Sequence, residues 1–159
     1  MDGIIVVNKP KGITSRDVVN KVCKKFNTKK VGHTGTLDPI AEGVLVICIG
    51  KATKLVEVLT SLEKEYIAEV KLGILTDTLD VDGLVLKEEK TEIKREELEK
   101  VLNSFVKEYN QEVPIYSAVK IGGKKLYEYA REGKEITLPS RKVNIKNIEL
   151  LDYDNKSIA

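Results

Sequence analysis

Residues 3–26 read GIIVVNKPKGITSRDVVNKVCKKF, and the change of rhythm within them decides the fold class. The first part is a short β-branched run stopped by Pro10 and Gly12, the pattern of a buried strand that ends in a turn. A helix follows. Thr14 or Ser15 caps it, Asp17 suits its first turn, and Val18, Val19, Val22, Cys23 and Phe26 recur at helical spacing on one face. A strand feeding a helix through a Pro-Gly turn requires a mixed architecture.

Outward from this unit the same alternation continues without a regular period. GVLVICIG (residues 43–50) is a second wholly apolar strand, and Leu55, Val56, Leu59 and Leu62 mark a second helix. From Glu65 to Leu72 the pattern alternates, with Tyr66, Ala68, Val70 and Leu72 on one face, which predicts a half-buried strand. Leu98, Val101, Leu102 and Phe105 define a third helix, and RKVNIKNIELLDY (residues 141–153) predicts a closing strand. Mixed strands and helices without repeats or low-complexity linkers give an α+β class, with a largely antiparallel sheet flanked by helices.

The chain has 159 residues, 42% apolar and 33% charged, enough for one domain or part of one. Net charge is only +2, yet lysines cluster at positions 24, 25, 29 and 30 and again at 120, 124 and 125, a distribution that permits a nucleic-acid partner without requiring one. Cys23 and Cys48 sit in apolar patterns without paired spacing and read as buried thiols of a reducing compartment, so a cytoplasmic location is expected. No run approaches the roughly 20 apolar residues of a membrane span, and the first residues lack the signature of a signal peptide.

Several chemistries can be set aside. IGKAT (residues 49–53) is not a phosphate-binding loop, because Leu45 and Ala52 stand where the motif needs glycine and Ser or Thr. A lone histidine and two distant cysteines make no zinc site. A hydrolase would need His33 as its base, and the surrounding GHTG lacks a nucleophile elbow. TDTLDVDG (residues 76–83) places Asp80, Asp82, Gly83 and Glu89 at positions of a calcium loop, but Thr78 occupies the first ligand position and neither flank reads as a helix, so a solvated polar loop is the favoured reading. There remains GHTGTLDPIA (residues 32–41), which crowds His33, Gly32, Gly35 and Asp38 into one loop. On composition alone, Asp38-Pro39 is a turn.

The order of five segments carries more information: VNKPKGITS (7–15), GHTGTLDPIAEGVL (32–45), KEYIAEVKLG (64–73), TDTLDVDG (76–83) and PIYSAVKIGGKKLYEYAREG (114–133). In this order, from Gly3 to about Leu151, the chain resembles the TruB family of tRNA pseudouridine synthases, in its bacterial, stand-alone form. The resemblance implies isomerisation of uridine to pseudouridine at position 55 in the TΨC loop of tRNA, with Asp38 as the catalytic nucleophile. Attack at C1′, attack at C6 and removal of the 2′ proton all stay open for it. The target base must be flipped out of the stack, and the resemblance implies that His33 partners the displaced base or its vacancy. Tyr66 is implied to hold uracil by stacking. Lys9, with Pro10, is implied to support the floor of the site, and Lys64 and Arg131, with Lys120, Lys124 and Lys125, to contact RNA. Gly32 and Gly35 would allow close backbone approach. The resemblance implies no cofactor, no metal and no obligatory protein partner beside the tRNA stem-loop.

It also breaks in one place. The family continues with a segment of the type Cys-Ser-x-Gly-Thr-Tyr-Ile-Arg, whose arginine pairs with the catalytic aspartate, and with a PUA-type domain, whereas this sequence stops at Ala159. Residues 1–159 are therefore expected to be the N-terminal portion of a catalytic domain, with an RNA-contacting segment at about 104–140, weak or inactive alone. A strand edge left unpaired after residue 151 would favour self-association or disorder. A non-catalytic tRNA-binding or RNA-folding module is the alternative.

Overall fold

The computed structural model describes residues 1–117 and 119–154 and the backbone of residues 157–158. Ala118 of the PIYSAVKIGG motif and Ala159 lie outside the described residues. In chain order the elements are β1 (Gly3–Lys9), α1 (Ser15–Lys25), β2 (Val31–His33), β3 (Gly43–Ile49), a 3₁₀ turn (Gly50–Leu55), α2 (Val56–Thr60), β4 (Val70–Lys71), β5 (Ile74–Thr76), β6 (Val85–Glu88), α3 (Arg95–Ser104), β7 (Glu108–Glu112), β8 (Lys120–Ile121), β9 (Lys124–Lys125), α4 (Leu126–Arg131), β10 (Ser140–Asn144) and β11 (Ser157–Ile158). Every strand pair among the described residues is antiparallel, as the α+β reading expects. The strands form separate small sheets rather than one, and the chain divides into two compact units, Met1–Glu65 and Tyr66–Ala159.

In the first unit β3 is the central strand. It pairs with β1 from Gly3↔Ile49 to Lys9↔Gly43 and with β2 from Val31↔Ile49 to His33↔Ile47. Helix α1 lies on one face, where Val18, Val19 and Val22 form a buried core with Leu45, Ile47 and Ile49. Each such side chain removed from water contributes about 1.5–3 kcal/mol. The helix starts where it does because Thr14 and Asp17 form a capping box. The Thr14 hydroxyl accepts from the Asp17 amide at 3.1 Å, and the Asp17 carboxylate accepts from the Thr14 amide at 2.9 Å.

Four sequence expectations need correction. Strand β1 is half-buried, with Val6 67% exposed, because α1 covers only one face of the sheet. The second helix begins as a 3₁₀ turn, and α2 is only five residues long, with Leu55 and Leu62 exposed. The alternating run after Glu65 forms a ladder only at Val70–Lys71, which pairs with β11. The closing strand is limited to β10, paired with β7, and one further bond from the Ile145 amide to the Lys107 carbonyl at 3.1 Å. Both shortened strands have one cause. Alternation sets which face a residue prefers, but a strand exists only where a partner accepts its backbone hydrogen bonds, and residues 66–69 and 146–152 lie in no ladder among the described residues.

The second unit buries Leu98 of α3, Val113 and Leu126 of α4, and carries two further hairpins, β5–β6 and β8–β9. No described helix is long and apolar enough to cross a membrane.

Candidate active site

Asp38 lies between β2 and β3, on a stretch whose backbone is tied down on both sides. The chain leaves the sheet after His33, with the Thr34 amide still donating to the Val46 carbonyl at 3.1 Å. Immediately before Asp38, the Ser15 hydroxyl accepts from the Leu37 amide at 2.9 Å and donates to the Leu37 carbonyl at 3.0 Å. Immediately after it, the Pro39 carbonyl accepts from the Gly12 amide at 2.8 Å. The Asp38 carbonyl accepts from the Ala41 amide at 3.0 Å, so the Asp-Pro turn read from composition is present as well. Asp38 is exposed, and among the described residues its carboxylate has no hydrogen bond or ion pair. An exposed carboxylate on an anchored backbone can serve as nucleophile or base.

The anchors belong to the β1–α1 loop, and Lys9 braces that loop in turn. Lys9 is 0% exposed. A buried ammonium is tolerable only when hydrogen-bonded, and Nζ donates to the Pro10 carbonyl at 3.0 Å and the Ile13 carbonyl at 2.8 Å. Its partners are carbonyl oxygens on either side of Gly12, the residue that holds Pro39. Lys9 therefore faces the loop backbone rather than solvent.

His33 is half-buried at the end of β2, with Nδ1 2.5 Å from the Gly35 carbonyl. A carbonyl only accepts, so Nδ1 carries the proton of this bond and Nε2 is the nitrogen left for another partner. The two glycines of the motif have different roles. A β-carbon on Gly32 would lie 3.2 Å from Val56 Cγ2, a tight contact, so the absence of a side chain eases the approach of α2 to β2. A β-carbon on Gly35 would meet Lys64 Cε at 4.0 Å, an ordinary contact. Lys64 thus runs beside the loop, its ammonium donating to the Thr60 carbonyl at 2.5 Å and the Leu62 carbonyl at 3.1 Å at the end of α2. Of the residues singled out in the sequence, Asp38, His33, Lys9 and Lys64 are gathered on this loop or its supports.

Tyr66 and Arg131 belong to the second unit. Tyr66 is 70% exposed. Around α4 cations and rings interleave. The Arg131 guanidinium and the Lys125 ammonium each lie 5.3 Å from the centre of the Tyr127 ring, and the Lys124 ammonium lies 4.9 Å from that of Tyr129. Leu126, fully buried, fixes the helix beneath them, and the Tyr129 hydroxyl donates to the Ile121 carbonyl at 3.0 Å. Glu132 accepts from Lys124 and Lys134, and these bonds hold its carboxyl below the usual value. In the TDTLDVDG loop the carboxylates serve the loop itself: Asp80 accepts from the Thr78 hydroxyl at 2.7 Å and the Asp82 amide at 3.0 Å, and Asp77 accepts from the Leu84 amide at 2.8 Å. That is the polar-loop reading of this motif.

Sequence reasoning treated Ser15 only as a possible cap. The capping role falls to Thr14, and the neighbouring hydroxyl is free to reach Leu37. Two adjacent hydroxyls at a helix start, of which only one can cap, are the signal that could have revealed it.

A family model described as "TruB family pseudouridylate synthase (N terminal domain)" matches residues 23–159. The chain is 51% identical over 158 residues to the tRNA pseudouridine synthase B of Fusobacterium nucleatum, covering 99% of this chain and 55% of that protein. It is 52% identical over 154 residues to the protein of the same name from Geobacillus kaustophilus, covering 96% and 54%. The chain thus spans about half the length of the curated relatives it matches. Among solved structures, a complex of Cbf5, Nop10 and Gar1 shares the fold at a TM-score of 0.63 and 24% identity, covering 98% of this chain and 37% of the other. An H/ACA RNP bound to a substrate RNA containing 2′-deoxyuridine matches at 0.66 and 26% identity, covering 98% and 35%.

Proposed function

The chain belongs to the TruB family of pseudouridylate synthases, and from that premise we propose that it supplies the carboxylate-bearing part of a cytoplasmic enzyme that isomerises uridine 55 in the TΨC loop of tRNA. The observation that carries this reading is Asp38, an exposed carboxylate between two backbone anchors. The names of the relatives supply tRNA as the substrate class.

The reaction is balanced within the nucleotide. The N1–C1′ bond breaks, uracil turns, C5 bonds to C1′, and the proton on C5 is replaced by one on N1. Asp38 initiates bond cleavage as a nucleophile, or as a base at the 2′ carbon. His33 fills the place left by the flipped base, and Tyr66 stacks on uracil with its hydroxyl available to the C5 proton. Lys9 holds the loop that carries Asp38. Lys64, Arg131 and the rest of the segment at about 104–140 meet the RNA backbone. Among the described residues no cation pairs with Asp38; a carboxylate tuned for this chemistry calls for such a partner, and on this reading the 159-residue chain is weak by itself.

The test joins residues 1–159 to the remaining part of the Fusobacterium nucleatum relative. Asp38→Asn in this chimera is expected to abolish pseudouridine formation, a loss of at least about 10³-fold, with RNA affinity retained. Undiminished turnover by the Asn variant would remove Asp38 from the mechanism. The cation and ring surface of α4 favours a second reading, a module that holds tRNA without chemistry; it requires that RNA binding persist while neither form of the chimera makes pseudouridine.

A further inference from the structure

We infer that Ser15 is a positioning residue for Asp38, an assignment that rests on the reading of Asp38 as catalytic. Ser15 is 3% exposed and occupies the first helical position of α1, where a side chain more often points to solvent or caps. Thr14 performs the cap, and the Ser15 hydroxyl instead makes two bonds with one residue, accepting from the Leu37 amide and donating to its carbonyl at 2.9 and 3.0 Å. A hydroxyl has one donor, and both its donor and an acceptor position are used here. The result resembles a single rung of antiparallel strand pairing, supplied by a side chain to the residue before Asp38.

The second anchor, Gly12 to Pro39, holds only one carbonyl. Pro39 has no amide hydrogen, so it cannot be held from both sides, whereas Leu37 can. Removing the Ser15 hydroxyl frees the ψ angle of Leu37 and the φ angle of Asp38, the rotations that swing the carboxylate. It also leaves a half-buried amide and carbonyl without their partner, which favours rearrangement of the loop toward water. Neither change touches an RNA-contacting cation. The predicted signature is loss of rate without loss of RNA affinity.

The experiment has two parts. In the 159-residue chain, Leu37 amide exchange is measured for wild type, Ser15→Ala and Thr14→Ala. Ser15→Ala should accelerate it at least about 10-fold, and Thr14→Ala, which weakens the helix without touching Leu37, should not. In the chimera, Ser15→Ala should lower the single-turnover rate about 10- to 100-fold, with the Kd for a tRNA transcript within about two-fold of wild type. Thr14→Ala should keep its rate. If Ser15→Ala does not fold, Ser15→Cys retains the volume with a weaker donor, and the same direction of loss is expected.

Unchanged Leu37 exchange overturns the clamp. Equal rate losses in the Ser15 and Thr14 variants overturn the positioning role, since general weakening of α1 would then explain both. If the wild-type chimera makes no pseudouridine, the catalytic reading falls, while Leu37 exchange still decides whether the clamp exists.

Discussion

A carboxylate three residues after a hydroxyl decides where α1 begins, and its charge state makes that decision depend on pH. Asp17 is held below the ordinary aspartate value of 3.8 first by the Thr14 hydroxyl and then by the Thr14 amide. With the folded value lowered, the contribution is present above the unfolded value and is lost as pH falls through the folded one. Thermal unfolding of wild type followed downward from pH 5 should therefore show an acid-side loss that Asp17→Asn lacks. Identical acid limbs would contradict the capping box. The start of the helix was legible because its residues are neighbours in sequence, although the choice of Thr14 over Ser15 as the cap was not. The reach of Ser15 to Leu37, 22 residues away, was not, since no local pattern reports where a later loop will lie. The closeness of Gly32 to Val56 was hidden for the same reason, since folding brings that neighbour there.

At the scale of elements, α1 and β3 were readable because each satisfies its pattern with a partner in the same unit. The strand after Glu65 and the closing strand were overextended, since their alternation is genuine but their ladders are short. The basic and aromatic segment was legible as composition, and α4 shows what arranges it: a fully buried Leu126 below, and rings of Tyr127 and Tyr129 that hold Lys124, Lys125 and Arg131 near one another. If these cations meet phosphates, replacing all three by Ala should reduce the slope of log affinity for tRNA against log salt by about 2. Affinity would fall for unrelated RNAs as well, because such contacts carry no base information. An unchanged slope would place the RNA surface elsewhere.

For the molecule as a whole, membership in the family rests on a match over residues 23–159, while the proposed chemistry rests on the reading of the anchored Asp38. The motifs at residues 7–15 and 32–45 looked like separate signals in the sequence. In the structure the first holds the second: Lys9 braces the loop whose Gly12 and whose neighbour Ser15 secure Pro39 and Leu37. The most direct measurement of the central claim is chemical mapping of pseudouridine in a uridine-containing tRNA transcript, after incubation with the chimera and, in parallel, with the 159-residue chain. The prediction is modification at position 55 by the chimera and little or none by the chain alone. A chimera that binds the transcript but leaves every uridine unmodified would contradict it.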